Sequence, residues 1–451
     1  MKKKIYLIHP SYRDQNGILL KGKRLYVVSL ALPALSATIP GNWEKEFCLE
    51  YFEDVRLDTD ASVVAISSMG YEIFRATELA REFRNRGKIV ILGGFQPHIS
   101  RSFIGSQADS VIHGYPGPEQ MTGILSDAES GSLKRDYYVT TDLNYPFDYR
   151  VIDLNRSVFA PVLTGVGCRN KCDYCCIGSF FQGTYVLRKL DLVLSELDML
   201  HQRTRRIAFV DTNLYNNAEY LRRLCRVMIE RRYRFIWGAQ CTVDIGEDAE
   251  TLALLRLAGC RVLFIGLESI NQESLDSVRK NYSSDAYPRL IRNIHAAGIR
   301  IAAFFIYGMD GDTVDTAART GEFVITHRIA LPMINILVPT PATPMYRRLN
   351  QDGRILMANE EEFLRNNIAY NSSFNLCFYQ PRHMTKMQVE EGFLELLGRL
   401  SHISQIFRRS LSTHPGVMLF LLYMNWLFRR ECIRLRRIHD ARSAPPAEVL
   451  C

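Results

Sequence analysis

GVGCRNKCDYCCIG, Gly165 to Gly178, is the stretch that decides how the rest of the chain reads. It places Cys168, Cys172 and Cys175 in a C-x-x-x-C-x-x-C pattern, with Tyr174 just before the last cysteine. Three thiolates this close on one short loop can reach three corners of a single iron–sulfur cluster. No fourth cysteine is clearly placed to close the site, and Cys176, adjacent to Cys175, should point away from the same cluster. One iron is then left open, and an open metal position is what a catalytic site needs. Zinc is the competing reading, but it calls for paired C-x-x-C halves across a longer gap, and no second half is visible.

On the C-terminal side of this loop, strands and helices alternate. Counting FAPVLTG (Phe159 to Gly165), which leads into the cysteines, six strand–helix units run from about 158 to 346. The next five strands are RIAFVD (206–211), FIWGAQCTV (235–243), RVLFIGLES (261–269), IRIAAFFIYGMD (299–310) and MINILVPT (333–340). The helices between them are amphipathic: Leu190, Val193, Leu194, Leu197 and Leu200 share one face of the first. Asp248, Asn271 and Asp285 are candidate helix N-caps, and Gly259 and Gly298 candidate stops. Repeated units of this kind, closing into a barrel, gather chemistry at the carboxyl ends of the strands. Six units predict a partial barrel, open on one side.

On the N-terminal side, residues 1–135 also alternate. Strands are predicted at Ile5 to Pro10, Ser62 to Met69, Lys88 to Gly94 and Asp109 to Gly114, with a helix through Glu78 to Arg86. Short β-branched runs separated by helices imply a parallel, doubly wound, Rossmann-like sheet. Such sheets bind ligands at their carboxyl edge, where Ser67, Ser68, Gly93, Gly94, His98 and Gly114 fall. Residues 136–157 are polar, aromatic and aperiodic and read as a linker. The fold class is therefore α/β: a Rossmann-like domain at 1–135, a partial (β/α)6 barrel at 158–346 and a helical region at 347–451.

A chain of 451 residues with 47% apolar and 23% charged residues is an ordinary globular composition, too long for one core. Its formal charge of +8 is mild. No dense Lys/Arg tract precedes the C-terminal end, which argues against nucleic acid as a partner. Eleven cysteines raise the question of disulfides. Yet MKKKIYLIHP leads into a strand rather than a long apolar run, and Cys225, Cys241 and Cys260 lie inside apolar elements. The expectation is a reducing cytoplasm.

The cysteine loop resembles the signature of the radical S-adenosylmethionine (radical SAM) enzymes, whose open iron chelates the amino and carboxylate groups of S-adenosylmethionine. The resemblance implies a [4Fe-4S] cluster on Cys168, Cys172 and Cys175, cofactor cleavage to a deoxyadenosyl radical, and the six-unit partial barrel. Tyr174 would support the adenine. Asp211, in VDTNLYNN, sits where that family contacts the cofactor's amino group. Glu268, in GLES, resembles the fourth-strand residue near ribose or methionine, and Gln240 ends the third strand similarly. Gly308, in IYGMDGD, resembles the fifth-strand glycine against adenine. Taken singly, an acidic residue at a strand end is as readily a helix cap.

ILGGFQPH and VIHGYPGPE resemble the strand-end glycine pair and following loop of the cobalamin-binding domain found in front of many radical SAM enzymes. This implies a cobalamin site lined by Ser67, Gly93, Gly94 and Gly114. The D-x-H-x-x-G motif that supplies histidine to cobalt is missing: the first loop reads SYRDQNG, and His9 and His98 stand in other contexts. A front domain that kept the fold without the cofactor is the alternative. PTPATPMYRRL (339–349) resembles the P-G-T-P stretch of cobalamin-type members, with Ala342 in place of glycine.

Together these features resemble the group containing the bacteriochlorophyll ring-forming cyclase and the hopanoid methylases. The implied activity is hydrogen abstraction followed by cobalamin-dependent C-methylation of an unactivated carbon in a small molecule, and the apolar C-terminal region permits a hydrophobic one. An electron donor such as flavodoxin or ferredoxin is implied as well. Radical cyclisation, rearrangement or oxidation without methyl transfer is the second reading, and a non-catalytic iron–sulfur redox sensor a third. The C-terminal HPGVMLFLLYMNWLFRRECIRLRRIHD leaves two readings open. Its apolar run is shorter than the roughly 20 residues that span a bilayer, and five arginines follow between Arg429 and Arg437. It is either a helix packed on its own domain or one lying in a membrane surface.

Overall fold

The structure is a computed structural model that describes residues 3–14, 16–181, 183–359, 362, 376–412 and 414–443. Expectations for the tail beyond Ser443 lie outside the described residues. The chain divides into two compact units. One comprises residues 1–169, 175–216 and 233–237; the other comprises 170–174, 217–232 and 238–451.

The strands are β1 (Lys4–His9), β2 (Leu25–Val27), β3 (Glu44–Leu49), β4 (Val63–Ser67), β5 (Ile89–Gly93), β6 (Ser110–His113), β7 (Asp136–Tyr138) and β8 (Ser157–Val162). They continue as β9 (Gly165–Gly167), β10 (Tyr185–Leu187), β11 (Arg206–Phe209), β12 (Ile236–Cys241), β13 (Cys260–Glu268), β14 (Arg300–Tyr307) and β15 (Leu331–Ile336). A six-stranded parallel sheet has the order β3-β1-β4-β5-β6-β7. Its central strands are buried on both faces: Ile5, Tyr6, Leu7 and Ile8 in β1, and Val63, Val64, Ala65 and Ile66 in β4. Continuous apolar runs of this sort belong to parallel sheets covered on both sides. The register Ser67↔Gly93 brings the polar ends of β4 and β5 level at the carboxyl edge.

The second sheet has the order β15-β14-β13-β12-β11-β8-β2. Six of these strands are the ones the sequence predicts. The seventh, β2, comes from the N-terminal region and pairs in parallel with β8, Leu25 opposite Ser157 and Val27 opposite Phe159. Helices follow the strands as their patterns require. Ala218–Glu230 buries Leu221, Leu224, Cys225 and Met228, an i, i+3, i+4, i+7 set. Asp248 and Asn271 are N-caps, accepting from the backbone of Thr251 and Glu273. Asp285 is not: the helix Tyr287–Ala296 begins after Ala286 with no side-chain cap.

Two further segments depart from expectation. β3 reads EKEFCL, whose charges hide a strand at the edge of the sheet. β7 and two short 3-10 turns lie within residues read as linker. That segment is also pinned by Arg188, which is fully buried. Its guanidinium donates to the carbonyls of Leu143, Leu163 and Tyr145, pairs with Glu196 at 2.6 Å and stacks 3.8 Å from the Phe147 ring centroid. Burying Arg188 is tolerable only because every face of the cation is answered. The C-terminal region is helical at Pro344–Gln351, Lys386–Leu400, Ile403–Ser410 and Pro415–Ser443.

Candidate functional site

The cysteine loop grows out of a short antiparallel pair, β9 with β10. Gly167 has φ 91°, and a Cβ there would stand 2.1 Å from the Thr184 carbonyl oxygen, so only glycine lets these strands close. The Gly167 carbonyl is held by the Thr212 hydroxyl and by Asn216 Nδ2 at 3.2 Å. Cys168 follows directly and is half-buried.

Cys175 is the N-cap of the short helix Cys176–Phe180. It makes no capping hydrogen bond, but the backbone N–H groups of Ile177 and Gly178 lie close enough to its sulfur to favour the thiolate, and Cys168 close enough for their charges to interact. Burial nevertheless pushes the Cys175 thiol up to about 11. In the second unit, Cys172 is buried and faces the Lys280 ammonium. The Asp173 backbone joins it there, donating to the Val278 carbonyl and accepting from Met345 N–H. The Asp173 carboxylate takes Arg348 at 3.1 Å.

Backbone N–H groups beside one sulfur and an ammonium beside another favour thiolates, the form that binds iron. Among the described residues no three His, Cys, Asp or Glu side chains converge on a single ion position. Cluster ligands need not meet at a single ion, because each thiolate binds a different iron. Three thiols with this chemistry on one short loop suit an iron–sulfur cluster by donor type and spacing.

Glu268 ends β13 at a bulge, where the register against β14 shifts between Gly266 and Glu268. Its φ of 62° is unusual for a residue with a side chain. The kink turns the carboxylate into a buried ion pair, Oε1 3.1 Å from Lys280 Nζ. Gly266 makes the room: a Cβ there would lie 2.3 Å from the same oxygen. Burial alone would lower the Lys280 pKa, but the Glu268 carboxylate and the Cys172 sulfur outweigh it and hold the ammonium charged. Lys280 carries no signal in the sequence beyond being a lysine beside a helix end.

Asp211 is buried and already engaged. It accepts from Thr164 N–H at 3.1 Å and from the Thr164 hydroxyl. Burial raises its pKa to about 6. The structure thus gives Asp211 the work of fixing the turn before β9. Gln240, at the end of β12, is exposed, and Tyr174 is half-buried. Gly308 has φ 96°, and its carbonyl accepts from the Tyr379 hydroxyl. Beside it, Asp312 accepts from the N–H groups of Gly308 at 2.9 Å and Met309 at 3.0 Å, and from the Ser274 hydroxyl at 2.6 Å. Burial pushes Asp312 up to about 6. Asp312 and Tyr379 shape this loop, and the sequence reading missed both.

At the carboxyl edge of the first sheet, Ser67, Gly93, Gly94 and Gly114 stand on neighbouring strand ends. A Cβ on Gly94 (φ 99°) would meet the Ser68 carbonyl oxygen at 2.6 Å, and one on Gly114 (φ 111°) the Val139 carbonyl oxygen at 2.6 Å. Both glycines are thus required by the chain's own backbone. The Ser68 hydroxyl oxygen is buried there without a hydrogen-bond partner. An orphaned hydroxyl among small residues at a strand-end edge suits a polar cofactor tail. Two histidines sit on the same edge: His98 Nδ1 is 3.1 Å from His113 Nδ1, and His113 Nε2 is 2.8 Å from Asp136. Phe180, from the helix after the cysteines, packs edge-on against His98 with ring centroids 4.7 Å apart.

A family described as the radical SAM superfamily matches residues 162–324, the span that begins at the end of β8 and carries the three cysteines. Residues 162–324 carry a radical SAM domain. The bacteriochlorophyllide d C-8(2)-methyltransferase of Chlorobaculum tepidum is 26% identical over 74% of this chain and 78% of that protein. The hopanoid C-2 methylase of Rhodopseudomonas palustris is 22% identical over 80% of this chain and 72% of its own. In structure, the radical SAM methyltransferase TsrM from Kitasatospora setae, with cobalamin and a [4Fe-4S] cluster bound, superposes with a TM-score of 0.70. That match is 16% identical and covers 98% of this chain and 100% of TsrM. The radical SAM chain described here has that fold.

Proposed function

We propose that this radical SAM enzyme is a cobalamin-dependent C-methyltransferase acting on an unactivated carbon of a small molecule. One observation carries the reading. A three-thiol loop of cluster spacing opens the second parallel sheet, and the same chain holds a separate parallel sheet with a small-residue carboxyl edge in front of it. When bound, the cluster and S-adenosylmethionine supply a deoxyadenosyl radical that abstracts hydrogen, and cobalamin supplies the methyl group.

The chain's own residues hold, orient and seal. Cys168, Cys172 and Cys175 anchor the cluster, and the Lys280 ammonium balances negative charge beside Cys172. Glu268 keeps that ammonium in place and ends a strand where cofactor contacts are expected. Asp211, through Thr164, and Asp312, through the Gly308 and Met309 amides, fix the backbone of two strand-end loops. Tyr174, Gln240 and Gly308 are proposed S-adenosylmethionine contacts, and Ser67, Gly93, Gly94 and Gly114 the cobalamin edge. Cyclisation or oxidation without methyl transfer is the weaker reading, since both named relatives are methylating enzymes. An electron donor of flavodoxin or ferredoxin type is proposed as partner, and contact with a membrane surface through the C-terminal region as a further property. Among the described residues no helix is long and apolar enough to cross a membrane.

The test is iron and cobalt per chain after anaerobic reconstitution with iron, sulfide and hydroxocobalamin, followed by S-adenosylmethionine turnover. Iron near four and cobalt near one, one cluster and one corrinoid, support the reading. Iron without cobalt overturns methylation while keeping the radical chemistry.

A further inference from the structure

The C-terminal helix Pro415–Ser443 has two unlike sides. One is packed: Val417, Leu421, Asn425, Cys432 and Leu435 are buried. At 100° per residue, Leu419, Tyr423, Trp426, Arg430, Ile433 and Arg437 fall within about 40° of a single line on the opposite side, and all six are exposed. The stripe is about 27 Å long at 1.5 Å per residue. Leu419 is 64% exposed and Trp426 48%. Tyr423 stacks on Trp426, and the Arg430 guanidinium lies 4.9 Å from the Trp426 ring centroid. The preceding helix, Ile403–Ser410, adds exposed Ile403 and Phe407 one turn apart.

A globular protein seldom leaves a tryptophan, a tyrosine and two aliphatic side chains in one row facing water. The charges beside the row say what it suits. Among the described residues no ion pair engages Arg430, Arg436 or Arg437. Of the helix's two acids, Glu431 is matched with Arg434, and Asp440 lies 3.7 Å from His439, a pair only when that histidine is protonated. A second copy of this helix therefore brings at most one carboxylate against the row's two arginines. A bilayer with anionic headgroups answers every part of the row. Aliphatic side chains enter the acyl boundary, Trp and Tyr sit at headgroup level, and arginines meet phosphate.

We infer that the stripe Leu419–Tyr423–Trp426–Arg430–Ile433–Arg437 lies on an anionic lipid surface. This deepens the membrane contact proposed above and is independent of the cofactor chemistry. The lipid class follows from the row's two arginines, Arg430 and Arg437, which no carboxylate pairs among the described residues, and the in-plane orientation from a packed side opposite the stripe.

Vesicle flotation of the reconstituted full-length protein tests it, with phosphatidylcholine vesicles and with vesicles containing phosphatidylglycerol. The protein is expected to float with the anionic vesicles only, and to be released by salt. Arg430→Glu combined with Arg437→Glu should weaken partition by about tenfold or more, and Trp426→Ala should weaken it too, both with an unchanged thermal midpoint. A blue shift of tryptophan emission on vesicle binding needs no variant. Trp43 and Trp237 are 5% and 2% exposed, so the shift reports Trp426. Partition that the variants leave unchanged overturns the stripe while keeping a membrane contact elsewhere. No partition at all overturns both. A dimer seen by light scattering and abolished by the same variants assigns the row to a second copy and overturns the lipid surface.

Discussion

Glu268 Oε1 lies 3.1 Å from Lys280 Nζ, and that same ammonium faces the buried Cys172. Removing either partner leaves a buried charge unanswered, at a cost on the order of 3–5 kcal/mol. Lys280→Met should therefore lower the unfolding midpoint markedly. Glu268→Gln keeps the shape and one acceptor. It is expected to leave iron content intact while weakening S-adenosylmethionine binding by at least about tenfold. Iron loss in the Gln variant would make Glu268 a support for the loop rather than a cofactor contact.

Cys172→Ala is expected to abolish the cluster's visible absorption and deoxyadenosine formation together. Cys176→Ala should retain both, because the pattern assigns that cysteine no iron. Iron analysis and product quantification on the two variants decide this. Full turnover in Cys172→Ala would remove the basis of the functional reading.

Gly167→Ala tests the frame rather than the ligands. Its Cβ would stand 2.1 Å from the Thr184 carbonyl oxygen at a backbone angle that disfavours side chains. The expected cost is about 2–4 kcal/mol, from strain and forced separation of β9 from β10. Denaturant unfolding measures the loss, and iron stoichiometry should fall with it. A variant as stable as wild type would show that the strands separate freely.

Asp312 makes stability depend on pH in an unusual direction. Burial raises its pKa to about 6, above the unfolded value of 3.8. Between those values the folded state binds more protons than the unfolded state, so its contribution falls as pH rises and is fully lost above about 6. The whole change is on the order of 3 kcal/mol. Asp312→Asn cannot ionise. The stability of wild type minus that of the variant should therefore decline from about pH 4 to about pH 6 in parallel denaturant titrations. A flat difference would mean that the amide hydrogen bonds from Gly308 and Met309 hold the carboxylate ionised throughout.

Much of this was readable in advance because the signals are local. The cysteine spacing, the apolar runs of β1, β4 and β5, and the six strands from β8 to β15 in the second sheet declare themselves within a few residues. What escaped depends on distant partners. Lys280 matters through a carboxylate 12 residues away, and Arg188 through carbonyls some 25 to 45 residues away. Edge strands β2, β3 and β7 are short or charged, since the exposed side of a sheet asks little of its sequence. Asp211 reads as a ligand by position, and only the fold reveals that it also accepts from the Thr164 amide and hydroxyl.

The pairing of β2 with β8 bears on how such chains are inherited. A three-residue segment near the amino terminus supplies the border of a sheet whose remaining strands begin 130 residues later. Cutting the gene anywhere between them strips that border and bares β8. The front sheet therefore cannot be traded between relatives as a cassette ending at residue 135. A hybrid that borrows one sheet must borrow the seam of the other with it, which ties the inheritance of the two sheets together.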